Sequence, residues 1–581
     1  MLKSKNIFLL KVISKIWHFL EISTRTKFIF VIFLSFVNTI LDLLGLGLFV
    51  PLILFVFKVE SIKSNQYTSY IFNYFSFSSE INFIIISGIF FVLLLILKNI
   101  LSLWINRYQI LFSFNVFKLV SQNLFKYHIS SRNFFLNDEN SSEITREIYV
   151  TSLHFTEFIL VSILTLLNEL IIIIFIVGFL FIFSPVIVLL LFILLLPIAG
   201  LFYYKYDKML EKTGYKENEL RNDINATLYE TVFGLPEIQI FQAKSFFYKK
   251  FNKLLKEFVT TKTKIFTVRL APSKILEVLI FTGLVIILIS GYIIDLKKPE
   301  MITLLSAFSL SAFRLLPSFN RITLAMINLK TYDYTLEILN KINTSFMVTN
   351  SNYFNQFNKL EITNLNYNYP NLKNQILKDI SLEIDIGDVV GIKGSSGSGK
   401  STLLKIIAGF IIPVSGELIV NNQENINRNL NSWQQKIGYV KQNVFLYNSS
   451  IKNNIAFGVD EENIDLVKLN LSINLAHLND FILKNSDGIE YVVGENGSKL
   501  SGGQIQRIGI ARAIYFDSEI ILFDEPTSAL DEDSQNKIIK TINDLSKNNF
   551  TIIIVSHQKS LLKNCNKLYE ISNGNLKKIK I

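Results

Sequence analysis

The stretch Gly394-Ser395-Ser396-Gly397-Ser398-Gly399-Lys400-Ser401-Thr402 decides how the 581-residue chain is read. It follows the apolar run Val389-Val390-Gly391-Ile392, which reads as a buried strand, and precedes Leu403-Leu404-Lys405-Ile406-Ile407, which reads as the opening turns of a helix. A strand, a Gly/Ser loop and a helix in that order build a cradle for phosphate oxygens. Glycine lets the backbone N–H groups curl round an anion, and the helix N-terminus adds partial positive charge. Lys400 then supplies a point charge to the β- and γ-phosphates of a nucleotide, and the Ser401 hydroxyl is placed to ligate Mg²⁺.

Three further stretches narrow the chemistry. Ile520-Ile521-Leu522-Phe523-Asp524-Glu525 is an apolar strand ending in two carboxylates, with Asp524 placed for Mg²⁺ and Glu525 for a water opposite the γ-phosphate. Leu500-Ser501-Gly502-Gly503-Gln504 opens a helical stretch and forms a second Ser/Gly anion cradle at a helix start. Because Lys400 already serves one cradle, the second implies a second chain. Ile552-Ile553-Ile554-Val555-Ser556-His557 is another buried strand with a polar tip.

These residues resemble the nucleotide-binding domain of an ATP-binding cassette (ABC) transporter. The resemblance implies that Gly394 to Thr402 form the Walker A loop, that Asp524 is the Walker B aspartate and that Glu525 is the general base or water-orienting carboxylate. It makes Gln442 the Q-loop glutamine, a further Mg²⁺ contact, and Ser501, Gly502, Gly503 and Gln504 the signature that closes on ATP held by the other protomer. Asp531 becomes the D-loop aspartate, His557 the switch histidine and Tyr369 the aromatic stacked on adenine. No position predicts a dead site, so a homodimer with two active sites is the simplest expectation, with ATP and Mg²⁺ as its cofactors.

Half of the residues are apolar, Phe alone numbers 50, and the apolar content is concentrated before residue 330. Membrane composition followed by a soluble domain gives the expected fold class: an all-α transmembrane domain of six helices, then an α/β P-loop nucleotide-binding domain. The expected domains are 1–330 and 359–581, joined by an Asn-, Ser- and Lys-rich linker over 331–358. The six spans are read at about Phe28 to Phe57, Ile81 to Ile105, Glu157 to Ser184, Pro185 to Tyr204, Lys274 to Ile294 and Met301 to Leu329. Ile7 to Leu20, apolar but interrupted by Lys11 and Lys15, reads as an interfacial helix rather than a signal peptide.

Lys and Arg are abundant before the first span, between the second and third and between the fourth and fifth. The opposite connections carry only Lys58, Lys63, Lys297 and Lys298. Both termini are therefore expected inside, on the side of the ATPase domain, in a bacterial inner membrane. The net charge of +11 reads as topology and not as nucleic-acid binding. The single Cys565 excludes an intramolecular disulfide and reads as a buried structural thiol.

Both long inner connections keep helical periodicity, so the spans are expected to continue beyond the membrane. Within them, Asn133-Phe134-Phe135-Leu136-Asn137 and the segment from Asn225 to Gly234 resemble the coupling helices of exporter-type ABC proteins. Val493-Gly494-Glu495-Asn496-Gly497 resembles a loop typical of exporters.

The transported substrate is expected to be amphipathic. The aromatic run Tyr67 to Phe77 in the first outer loop, with Phe313 to Ile322 in the sixth span, resembles the bacterial Pgl-type lipid-linked oligosaccharide flippase, in which a short outer helix engages a polyprenyl tail. Arg314 and Arg321 lie two helical turns apart on one face, and guanidinium forks suit the oxygens of a pyrophosphate. Pairing of these arginines with Asp42, Glu169 or Glu277 is the other reading. A peptide, lipid or drug exporter is the alternative transporter, the lack of an N-terminal peptidase region arguing against a processing peptide exporter. A membrane-tethered ATPase acting on a macromolecular partner is the alternative of another class.

Overall fold

The computed structural model describes residues 12–17, 22–57, 66–75, 77, 79–130, 141–183, 185–293, 315, 317–337, 356–369, 374–421, 424–528 and 530–580. The described residues fall into two compact units, one up to residue 337 and the other from residue 356.

The first unit is helical. Its elements are α1 (Ile22–Phe57), α2 (Gln66–Tyr74), α3 (Glu80–Ser130), α4 (Val161–Phe183), α5 (Pro185–Phe233), α6 (Leu235–Ile240) and α7 (Lys244–Ile293), followed by a helical run over 317–331. Unbroken helical backbone from Ser141 leads into α4 through two π-helical stretches, Glu147–Thr151 and Phe155–Leu160. Among the described residues, four stretches are long and apolar enough to cross a membrane: Ile22–Leu41, Glu80–Ser130, Glu143–Gly178 and Lys244–Ile289. The expected fourth span falls within α5, and most of the first half of the expected sixth lies outside the described residues, so the count of six stays an expectation.

The spans do continue as long helices: α3, α5 and α7 run for 51, 49 and 50 residues. One boundary is corrected. Asn225 to Phe233 is not a separate short helix but the end of α5; the break comes at Gly234 and the short helix is α6. Asn225-Ala226-Thr227-Leu228 contains no residue that stops a helix, whereas Gly234 followed by Leu235-Pro236 does, since proline removes a donor and fits the first turn of a new helix. Asn133 to Asn137 lies outside the described residues. Of Ile7 to Leu20, Val12 to Trp17 is described and is helical.

Polar side chains stitch the helices together. Thr39 Oγ1 on α1 donates to Asn168 Oδ1 on α4 at 2.7 Å, and Gln109 Nε2 on α3 donates to Ser35 Oγ on α1 at 2.8 Å. Arg269 on α7 donates to Asn328 Oδ1 at 2.8 Å, and Asn328 in turn donates to Ser162 Oγ on α4 at 3.3 Å. The backbones of α5 and the 317–331 run approach so closely at Gly214 that a Cβ there would sit 1.9 Å from the carbonyl oxygen of Thr331. The expected result of Gly214→Ala is separation of these helices at a cost of about 1–3 kcal/mol, read as a lower thermal unfolding midpoint of the detergent-solubilised protein. An unchanged midpoint would show that the crossing yields without loss.

Among the described residues, the second unit holds two sheets. β1 (Lys359–Tyr367), β2 (Leu377–Asp385), β4 (Ser415–Val420) and β5 (Glu424–Asn425) form an antiparallel sheet in the order β2-β1-β4-β5. β3 (Val389–Gly394), β6 (Ile437–Val440), β7 (Ile520–Asp524), β8 (Thr551–Val555), β9 (Lys567–Ser572) and β10 (Asn575–Ile579) form the other, in the order β10-β9-β3-β8-β7-β6. From β9 to β6 the pairs are parallel, and only β10 is antiparallel.

The continuous apolar runs of β7 and β8 follow from burial on both faces. Ile520, Leu522, Ile553 and Val555 join the core shared with the antiparallel sheet and with Trp433. Ile521, Phe523, Ile552 and Ile554 point the other way, into a core that includes α9 (Gly502–Tyr515) and α10 (Glu532–Lys547). Alternation along each strand thus fixes the register, and with it the positions of the polar strand tips. Cys565 is buried in the second core, and burial pushes its thiol up to about 12, as a structural thiol requires.

Candidate active site

The carboxyl ends of β3, β7 and β8 lie side by side, so whatever follows each strand converges on one place. After β3 the loop runs from Gly394 through Ser395, Ser396, Gly397, Ser398 and Gly399 into α8 (Lys400–Ile407). Gly399 has φ +101°, and a Cβ there would lie 2.9 Å from Leu377 Cδ2, so both conformation and space demand glycine. Lys400 is buried, and its Nζ donates to the carbonyl oxygens of Gly394 at 2.9 Å and Ser395 at 2.8 Å. Burial holds its pKa below the usual lysine value, against the pull of Glu525 and Asp524.

Next to the loop, Ser401 Oγ donates to Asp524 Oδ1 at 2.9 Å. A hydroxyl and a carboxylate in contact at the start of α8 form a hard oxygen pair that suits Mg²⁺. Glu525 follows at once, in the left-handed region at φ +49°, with its N–H bonded to the carbonyl of Val555 at 2.9 Å. This twist brings its Oε1 to 3.4 Å from His557 Nε2. Ser556 bonds back to β3 through its N–H and the carbonyl of Ile392 at 3.2 Å, which fixes the residue preceding that histidine.

Tyr369 also belongs here. Its hydroxyl is 3.4 Å from Thr402 Oγ1 and its ring meets Tyr367 edge-on at 5.1 Å, so it borders the phosphate loop.

A second group forms around α9. Ser501 caps the helix: its Oγ accepts from the N–H of Gln504 at 3.4 Å, while its own N–H donates to Gln504 Oε1 at 2.8 Å. Gly502 and Gly503 begin the helix, and a Cβ on Gly503 would lie 2.8 Å from Ser534 Cβ. Ser534 is the residue whose N–H Asp531 accepts at 3.0 Å in capping α10, and hydrogen bonding from the Ser534 hydroxyl, with the backbone bond adding to it, holds the Asp531 carboxyl below its usual range. The structure therefore brings the signature residues and Asp531 together.

Three contributors escape a reading by pattern. Tyr439 on β6 donates its hydroxyl to Asp524 Oδ2 at 3.1 Å, so both carboxylate oxygens are held, one by Ser401 and one by Tyr439. Burial, with Asp524 adding to it, pushes this phenol well above its ordinary pKa and keeps it a donor. Gln506 is buried on α9, and its Nε2 donates to the carbonyls of Gln442 at 2.6 Å and Lys441 at 3.1 Å. Gln442 itself is exposed. Arg512, further along α9, donates to the carbonyls of Asn454 at 2.9 Å and Phe445 at 3.1 Å and lies over the Phe457 ring at 4.5 Å. The signals were a tyrosine three residues before Gln442, a glutamine two after Gln504 and an arginine eight after Gln504, all unremarkable in a helix-and-strand pattern.

Tyr439→Phe is expected to raise the Mg²⁺ concentration needed for half-maximal nucleotide binding by roughly three- to tenfold, the net worth of one hydrogen bond. Mg²⁺ titration of ATP binding measures this, and an unchanged curve would show that Asp524 is oriented without the phenol.

Arg321 of the helical unit is placed on Glu169, Nε to Oε1 at 2.8 Å, with its side chain about half exposed. Arg314 lies outside the described residues.

Comparison with known proteins agrees with this geometry. The ABC transporter model matches residues 377–528, and the ABC transporter transmembrane region model matches residues 28–315. A probable ABC transporter ATP-binding/permease protein of Haemophilus influenzae is 30% identical over 385 residues, covering 64% of this chain and 67% of that protein. An ATP-dependent lipid A-core flippase of Pectobacterium atrosepticum is 38% identical over 218 residues, 38% of this chain and 37% of that one. The chain thus spans two thirds of one relative's length and little more than a third of the other's. The structure of a bacterial Atm1-family ABC exporter with ATP bound has the same fold, with a TM-score of 0.72 at 19% identity over 95% of this chain and 94% of that one. With helical and α/β units matched in the same order and the phosphate loop, strand-end carboxylates and signature in place, the chain belongs to the ABC transporter family.

Proposed function

We propose that this chain is an ATP-driven exporter that works as a homodimer in a bacterial inner membrane and flips an amphipathic, lipid-linked substrate, best fitted by a polyprenyl-pyrophosphate oligosaccharide. In this reading residues 1–330 form the membrane domain, 331–358 the linker and 359–581 a cytoplasmic ATPase. The observation that carries it is the joining of Lys400, Ser401, Asp524, Glu525 and His557 at the ends of three parallel strands, in a chain that also holds long apolar helices.

Lys400 and the N–H groups of the loop hold the β- and γ-phosphates of ATP, and Tyr369 borders the base. Ser401, Asp524 and Gln442 are the residues that would hold Mg²⁺, which neutralises phosphate charge when bound. Glu525 accepts a proton from, or orients, the attacking water, and His557, 3.4 Å away, fixes the carboxylate. Ser501 to Gln504 and Asp531 of one protomer face the ATP of its partner, which makes hydrolysis depend on pairing.

For the substrate, α2 offers two faces. Phe72 packs with Phe77 and Phe83 at ring distances of 5.9 and 5.8 Å, while Tyr70 and Tyr74 stack on the exposed face. A helix anchored on one side and aromatic on the other suits the membrane interface and a lipid tail. Arg321 uses Nε on Glu169, so its Nη groups are the ones that would meet a pyrophosphate. The name of one relative, a lipid A-core flippase, supports an amphipathic cargo.

ATP turnover in proteoliposomes is the test. Stimulation by a polyprenyl-pyrophosphate glycan supports the reading; stimulation by hydrophobic drugs alone would assign the chain to drug export.

A further inference from the structure

Three helices of the membrane unit meet in one polar layer. Asn38 and Thr39 are neighbours on α1, Asn168 and Glu169 on α4, and Asn320 and Arg321 on the 317–331 run. The Thr39–Asn168 hydrogen bond at 2.7 Å and the Arg321–Glu169 ion pair at 2.8 Å tie the three together. Apolar residues fill most of α4, and a carboxylate among them is costly unless it has work to do.

The layer is unbalanced. Glu169 is 1% exposed, and its Oε2 has no hydrogen-bond partner. The same is true of Asn38 Oδ1, Asn320 Oδ1 and Ser318 Oγ, with Ser318 fully buried. A carboxylate oxygen and two amide oxygens can only accept, and a hydroxyl can do either. Buried groups of this kind are ordinarily paired, so four of them, each on or within one helical turn of a residue in these two contacts, define a demand for donors. Arg321, about half exposed, spends its Nε on Glu169 and keeps its Nη groups as donors for a second anion.

We infer that this layer reads the headgroup of the transported molecule, taking hydroxyl or amino groups on the Glu169, Asn38, Asn320 and Ser318 oxygens beside an anion on Arg321. A group that donates to these oxygens favours the arrangement of α1, α4 and the 317–331 run in which they meet, which is the differential interaction a transporter needs to sense its cargo. The inference deepens the proposed function and rests on it: it names the sugar hydroxyls, and not the lipid tail or the phosphates alone, as what Glu169 and its neighbours recognise.

The test uses the full-length protein in nanodiscs and two probes, a polyprenyl pyrophosphate carrying a disaccharide and the same lipid without sugar, with equilibrium binding as the readout. The wild type is expected to bind the glycan-bearing probe about tenfold more tightly, the worth of a hydrogen bond to a charged group. Glu169→Gln and Ser318→Ala, the latter removing one hydroxyl and sparing the ion pair, are each expected to shrink that preference while the bare lipid still binds. Equal affinity of the wild type for both probes, or a preference kept by both variants, overturns the inference and leaves the flippase reading standing. Failure of the wild type to bind either probe overturns both.

Discussion

Glu525→Gln is expected to lower ATP turnover by at least about a hundredfold while leaving ATP binding near the parental level. The side chain keeps its size and its place after β7, and glutamine still presents an oxygen towards His557, so the 3.4 Å contact and the left-handed backbone survive. What is lost is a group that can take a proton from water. Single-turnover phosphate release alongside nucleotide binding separates the two effects. A variant that cleaves ATP at the wild-type rate would remove Glu525 from the chemistry.

Lys400→Ala carries the second large effect, this time on binding. The ammonium is buried within its own loop and fixed by two carbonyls at 2.8 and 2.9 Å, so it is positioned before nucleotide arrives. Truncation removes charge-assisted bonds to phosphate worth about 1.5–3 kcal/mol, or a weakening of ATP binding by roughly ten- to a hundredfold. Adenosine, which has no phosphates, should bind the variant and the wild type alike. Equal losses for ATP and adenosine would mean that the loop had collapsed, and the lysine would then be structural.

The phosphate loop, the strand-end carboxylates and the signature were legible because their chemistry depends on residues close together in sequence. Gly399 announces a left-handed backbone, Ser501 and Gln504 announce a capping box, and the apolar runs before Asp524 and His557 announce strands buried on both faces. The long helices were legible too, by length and apolarity. Contacts across the fold were not. Tyr439 reaches Asp524 across 85 positions and Gln506 reaches Gln442 across 64, and nothing in a strand or helix pattern distinguishes either from an ordinary core residue. Arg321 was read for its charge, but its partner Glu169 lies on another helix and was one option among three. The end of α5 was misplaced because its polar segment looked like a connection, whereas the glycine and proline at Gly234 and Pro236 decide where the backbone turns.

The three longest helices differ in stiffness. Pro197 interrupts the ladder of α5 and Pro272 that of α7, so each has a built-in place to flex. The 51 residues of α3 contain no proline and extend for roughly 77 Å, more than twice the depth of a bilayer's hydrocarbon layer. A rod of that length, tilted by about 5° around its middle, carries each tip through roughly 3 Å. Of the three, α3 is thus the lever arm and α5 and α7 are the jointed members, so small angular strokes at one end of the bundle arrive at the other as distances on the scale of a hydrogen bond.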